Sequence, residues 1–201
     1  MIRSLLAGLM LTLSLVATAA ADPVNPDPAR VPAGTYRLDP RHASLIVRIG
    51  HLGGFSRFTL RFDRLAGGFT YDPVTWATTR AEITVDPRSV NTGLADFDKE
   101  LAGPRYFDAE RNPQISFVTR QIEAIGAVGK ITGDLTFMGQ TKPVVLDVTF
   151  NGSGPGLLGA GTRMGFSGTT LLKRSDWGLT HLNSFTSDEI ELVIEVEFVR
   201  T

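Results

Sequence analysis

Stretch after stretch of this chain alternates bulky apolar residues with polar or charged ones, and this period of two limits its fold more than any other feature. From Ile190 to Phe198 the even positions are Ile190, Leu192, Ile194, Val196 and Phe198. The odd positions carry Glu191, Glu195 and Glu197, with Val193 as the exception. Successive side chains of a strand point to opposite faces, so the segment has one greasy face and one charged face. The pattern recurs in Val144, Leu146, Val148 and Phe150, and in Phe58, Leu60 and Phe62. Such a sheet must hide one face. With few helices to cover it, it closes on itself or pairs with a second sheet around an apolar interior.

Strand candidates run Thr35–Leu38, Ser44–His51, Phe55–Phe62, Leu65–Tyr71 and Arg80–Asp86, then Gln114–Glu123, Val128–Phe137, Val144–Asn151, Arg163–Leu172 and Asp188–Val199. Turn signals at Gly53-Gly54, Asp72-Pro73, Met138-Gly139 and Gly152 to Gly156 separate several of them. Strand follows strand, so neighbours are expected to pair antiparallel. One segment breaks the rhythm. Thr92 is placed to cap a short helix from Leu94 to Ala102, which Gly103-Pro104 stops, with Leu94, Phe97 and Leu101 as its packing stripe. The prediction is an all-β barrel with one short helix crossing near an end. Eight strands close around an interior that is filled or holds one ligand, and ten-residue strands of roughly 34 Å make it a tunnel.

Residues 1–21 read as a secretory signal peptide: an apolar run from Leu5 to Val16, then small residues at Ala19 and Ala21 before Asp22. The run is too short for a comfortable span, and no later stretch approaches ~20 apolar residues, so no membrane-spanning segment is expected after cleavage. Residues 22–33 hold four prolines and read as an extended tether, leaving 34–200 as a single domain. The absence of Cys excludes thiol catalysis, Cys-ligated zinc and iron–sulfur clusters. With 20 basic and 21 acidic residues interspersed, no electrostatic footprint for nucleic acid is present.

The inward phase nominates Leu45, Val47, Ile49, Phe58, Leu60, Phe62, Phe69, Phe117, Leu135, Leu146, Val148, Phe166, Leu192 and Ile194. These side chains either line a cavity or fill it. Glycines at inward positions, Gly67, Gly133 and Gly168, favour room, although a strand glycine also marks bulges. Of the three histidines, His42 and His51 share one strand phase some ~30 Å apart, too far to share a metal. They are assigned to the barrel rims, where contact with a polar headgroup is one role. Ser153 and Ser167 lack the frame of a nucleophile elbow, and Gly126 to Thr132 imitates a phosphate loop without a following helix. No catalytic residue, metal site or required cofactor is assigned.

Asp39, His42 and His51, then Asp98 with Leu101, Phe107-Asp108, Pro113 and Phe117, then Gly133-Asp134-Leu135-Thr136 with Gly139, Thr141, Lys142 and Pro143, occur in the order of a known family. With Arg174-Ser175-Asp176-Trp177-Gly178 near the end, the chain resembles the YceI-like family over Gly34 to Val199. The resemblance implies a lipocalin-like, extended antiparallel eight-stranded barrel in the periplasm. It also implies a tunnel holding a polyisoprenoid such as an isoprenoid quinone or prenyl pyrophosphate, carried without chemistry. Glu100 stands where many relatives have His, and Phe97 where they have Arg, so a headgroup contact from those positions is not carried over. Two rivals stay open: a packed barrel acting as an envelope interaction module, and a hydrolase or isomerase of the bound lipid. The sequence is compatible with a monomer or a homodimer.

Overall fold

The computed structural model describes residues 24–156 and 159–201; the expected signal peptide lies outside them. Ten strands form one sheet: β1 (Gly34–His51), β2 (Ser56–Phe62), β3 (Leu65–Tyr71), β4 (Glu82–Val85), β5 (Val90–Asn91), β6 (Ile115–Ile125), β7 (Val128–Phe137), β8 (Gln140–Pro155), β9 (Thr162–Lys173) and β10 (Thr186–Arg200). Among the described residues one α-helix, α1 (Ala95–Ala102), follows β5. Pairing runs β10-β9-β8-β7-β6-β4-β3-β1, and a β10–β1 ladder closes the ring into an eight-stranded antiparallel barrel. β2 and β3 both pair with β1, end to end, and their outer edges take β5 and β4 in the same manner. A corner at Asp63 and Arg64 separates the two halves. It is pinned by Ser89, whose carbonyl accepts from the Asp63 N–H and whose hydroxyl accepts from the Arg64 N–H.

Cross-strand registers turn the sequence alternation into rows on the inner wall. Phe62 faces Leu45, Leu45 faces Ile194, Ile194 faces Gly168, and Gly168 faces Val148. A second row runs Leu60, Val47, Leu192. The charged phase faces out: Lys130 pairs with Asp147 on adjacent strands, and Arg57 with Glu191.

Several expected boundaries are corrected. Thr35–Leu38 and Ser44–His51 are one strand, interrupted by a bulge between Leu38 and Ala43. Pro40 has no N–H for the ladder there, and Asp39 turns its carboxylate to accept from Arg41 N–H, the His42 ring and Arg163. Gly152 to Gly156, expected as a turn, mostly continues β8, with a register shift at Phe150/Gly152. Thr92 is not the cap of α1. Leu94 holds the cap position without a side-chain bond, while the Thr92 N–H and hydroxyl both donate to Asp98 at 2.7 Å.

The segment expected as a tether packs over its described part. Val31 is only 1% exposed, and the Tyr36 and Tyr71 hydroxyls donate to the Pro32 and Pro28 carbonyls at 2.8 Å. Proline-rich backbone can be buried where phenols satisfy its carbonyls.

The three inward glycines do different things. A Cβ on Gly133 would collide with the Phe117 ring and lie 2.7 Å from the Val118 carbonyl oxygen, so this glycine makes room for a phenyl ring. Gly67, at φ +141°, lets the Glu82 carbonyl approach. Only Gly168 borders the cavity described below, with the nearest heavy atom to an added Cβ at 3.6 Å. Gly133→Ala is therefore expected to cost about 1–3 kcal/mol by overpacking. Gly168→Ala is expected to change stability by less than about 0.5 kcal/mol. Urea denaturation of the two variants checks the contrast.

Acid should loosen this frame. Hydrogen bonds from His42 and Arg163 hold the Asp39 carboxyl well below the usual range. Burial pushes Asp86 up, but its bonds from Arg64 and Arg88 outweigh that and lower it, and the Ser175 hydroxyl and N–H lower Asp188. Each folded value lies below its unfolded one, so the unfolded chain binds more protons on acidification. Their stabilisation is complete above about pH 4 and is lost as pH falls through the folded values. Melting temperature should drop progressively below about pH 4. Asp39→Asn should start less stable at neutral pH and fall less steeply.

Candidate ligand cavity

The barrel encloses a cavity of about 630 Å³, within the range of roughly 300–1,000 Å³ usual for small-molecule sites. Its wall is apolar on almost every strand because the inward phase is apolar on almost every strand. Several inward residues, among them Phe58, Leu146, Val148, Leu192 and Ile194, are only half-buried although they point into the barrel. The space they border is the cavity itself. Residues of the lining are exposed at both ends of the barrel, Leu182 (42%) at one and Val128 (58%) at the other.

The ends differ. Around the start of β1, one side is packed by aromatics: Phe69 lies 5.7 Å from Tyr36 and 4.8 Å from Phe198, and Phe166 lies 5.4 Å from Phe150. The other side of that end, beside the β6–β7 hairpin, is lined by Trp76, Ala124 and Val128. At the opposite end, α1 sets Phe97 edge-on to Phe58 and Tyr106, and Phe107 bridges Phe62 and Phe137.

Polar groups gather at this second end, on and around the connection between β9 and β10. Arg174 is 5% exposed. Its Nε donates to the Ser187 carbonyl, Nη1 to the Leu179 and His181 carbonyls, and Nη2 to Asn183 Oδ1 and Thr186 Oγ1. One guanidinium thus holds the whole connection in place. Burial lowers its pKa from the ordinary arginine value, partly offset by the Asp188 carboxylate. Trp177 closes the same turn, 4% exposed, with its indole 6.5 Å from Phe137 and Lys142 Nζ 5.9 Å from its ring. Arg174, Trp177, Tyr106 and His181 all line the cavity, the last two with rings 5.6 Å apart.

All fourteen residues nominated by the inward phase border this cavity: Leu45, Val47 and Ile49 from β1; Phe58, Leu60 and Phe62 from β2; Phe69, Phe117 and Leu135 from β3, β6 and β7; Leu146 and Val148 from β8; Phe166, Leu192 and Ile194 from β9 and β10. His42 and His51 are not on the lining. The His42 ring bonds Asp39 at 2.9 Å, and His51 ends β1 opposite Ser56 and Thr186. The histidine that borders the cavity is His181, which strand phase could not place because it lies between strands. Asp39, His42 and Glu197 offer donor atoms within 4.8 Å of one another, but the Arg163 guanidinium already bridges the two carboxylates at 2.7 and 2.8 Å.

Fold and void together define a hollow antiparallel barrel, the architecture in which a small ligand sits inside the wall. The YceI-like domain matches residues 36–198. The chain belongs to the YceI-like family. A UPF0312 protein of Pseudomonas aeruginosa is 35% identical over 170 residues, covering 84% of this chain and 88% of its own length. One from Vibrio cholerae is 33% identical over 187 residues, covering 92% and 96%. A Campylobacter jejuni YceI protein of solved structure is similar with TM-score 0.64 and 32% identity, over 73% of this chain and 87% of that one. A polyisoprenoid binding domain from Saccharophagus degradans, implicated in plant cell wall breakdown, shares the fold with TM-score 0.60 and 17% identity, over 83% and 98%.

Proposed function

We propose that this chain is an exported carrier that holds one isoprenoid lipid, of quinone or prenyl pyrophosphate type, inside its barrel and does not change it chemically. The observation that carries the reading is the apolar cavity of about 630 Å³ inside the barrel. Each methylene moved from water into such a wall contributes roughly 0.8 kcal/mol, so tail length supplies the affinity. The name of the Saccharophagus degradans domain, a polyisoprenoid binding domain, supports the choice of tail. The signal-like residues 1–21 support export to the periplasm. A carrier is supported by the lining, which is apolar on almost every strand and brings together no carboxylate–imidazole pair: Asp27 lies on the segment before β1 and His181 between β9 and β10.

Trp76 and Trp177 both border the cavity, which provides the test. Titration with a prenylated benzoquinone should quench tryptophan fluorescence saturably, with one quinone per chain. Linear, unsaturable quenching by the quinone, together with no saturable fluorescence change on titration with a prenyl pyrophosphate, would refute the carrier reading.

A further inference from the structure

Two turns at the polar end of the barrel share one pattern. The β1–β2 turn reads Leu52-Gly53-Gly54-Phe55, and the β9–β10 connection carries Leu182-Asn183-Ser184-Phe185. They lie side by side, because the Leu52 N–H donates to the Phe185 carbonyl at 2.7 Å. All four large side chains are exposed, from 42% at Leu182 to 90% at Phe55, and neither turn holds a charged residue. Single exposed apolar residues need no explanation, but four on adjoining turns mark an interaction site.

The backbone makes these leucines an unfavourable choice for a turn. Leu52 has φ +45° and Leu182 φ +63°, the left-handed conformation that glycine and asparagine adopt most readily and a leucine only at a cost. Strain of this kind persists at working sites, where the surrounding structure imposes it. Around Leu182 the Arg174 guanidinium imposes it, with Nη1 donating to the Leu179 and His181 carbonyls and Nη2 to Asn183 Oδ1 and Thr186 Oγ1. The apolar tip is thus held out in water by a fixed frame. Leu182 also borders the cavity, so the tip and the cavity wall meet at that residue.

We infer that this tip docks on the surface of a lipid bilayer, with Leu52, Phe55, Leu182 and Phe185 entering the boundary between headgroups and acyl chains. The choice of partner rests on the carrier reading. An isoprenoid lipid is dissolved in a bilayer, and a tip contiguous with the cavity wall keeps its tail among apolar groups on the way in. Charge plays little part. Beside the tip Arg57 is paired with Glu191 at 2.7 Å, and the Asp188 carboxylate accepts from the Ser175 N–H and hydroxyl. Docking therefore depends on buried apolar area and not on anionic lipid. The β6–β7 hairpin at the other end exposes only Ile125 and Val128, flanked by Glu123 and Lys130.

The chain as its native host exports it should co-sediment with vesicles of pure phosphatidylcholine, and molar salt should not release it. Phe55→Ser combined with Phe185→Ser should weaken that partition roughly tenfold or more, whereas Ile125→Ser should leave it unchanged. Both phenylalanines are exposed and lie off the cavity lining. The double variant should therefore keep the wild-type circular dichroism spectrum and bind a prenylated benzoquinone in detergent micelles as the wild type does. A wild type that stays in the supernatant, an equal partition of the double variant, or an equal loss in Ile125→Ser would overturn the docking face. So would a wild-type dimer that the double variant converts to a monomer by light scattering, since the tip would then join two copies of the chain. Saturable quinone binding in micelles alongside any of those results leaves the carrier standing. Vesicle docking without micellar quinone binding removes the carrier and leaves the docking face.

Discussion

Leu146→Asp should abolish lipid loading while Val145→Asp, one residue away, leaves it intact. Leu146 borders the cavity from β8, opposite Ile131 on β7, and Val145 is 45% exposed on the outer face. A carboxylate in a dry wall either stays hydrated and keeps the lipid out or is buried at a cost of several kcal/mol. Even its neutral form costs about 2–7 kcal/mol to bury unpaired, which weakens binding at least roughly thirtyfold. The outer position feels water in either state. Fluorescence titration against the same quinone, with circular dichroism to show that both variants are folded, separates the two outcomes. Equal affinities for the two variants would show that the ligand does not sit against β8.

Arg174→Met should be the most destabilising single change at the polar end, by about 3–5 kcal/mol. It removes three charge-assisted bonds to the part-buried Leu179, His181 and Ser187 carbonyls, bonds of a kind worth about 1.5–3 kcal/mol each. Arg174→Lys keeps the charge but not the planar fork that reaches several acceptors, so it should recover only part of the loss. Urea denaturation gives the total. Hydrogen exchange should show protection lost first across residues 179–187. Wild-type stability in Arg174→Met would mean that the connection is held by its own backbone.

The inner wall was legible because strand alternation is a local property: each apolar residue two apart in sequence falls on one face wherever the strand goes. That is why Leu45, Val47 and Ile49 and their counterparts on other strands meet around one void. Features set by partners far away in sequence were not legible. The bulge at Asp39 depends on Arg163, and the two-residue β5 depends on its pairing with Arg61 and Phe62. Val31 is buried because tyrosines from β1 and β3 reach back to the proline carbonyls. The polar end was legible only as a string, Arg174 to Gly178. Its role emerges from a connection that folds back over the guanidinium, bringing His181 to the cavity while His42 and His51 face elsewhere. The glycines misled for a similar reason, since only the neighbouring strand shows that Gly133 accommodates Phe117.

Mass spectrometry of an organic-solvent extract, made from the protein purified from its native host, tests the carrier most directly. The account predicts one polyisoprenoid-tailed, oxygen-headed lipid per chain in the wild type and none in Leu146→Asp. A lipid-free wild-type extract, together with a crystal structure whose side chains interlock from one rim to the other, would contradict it.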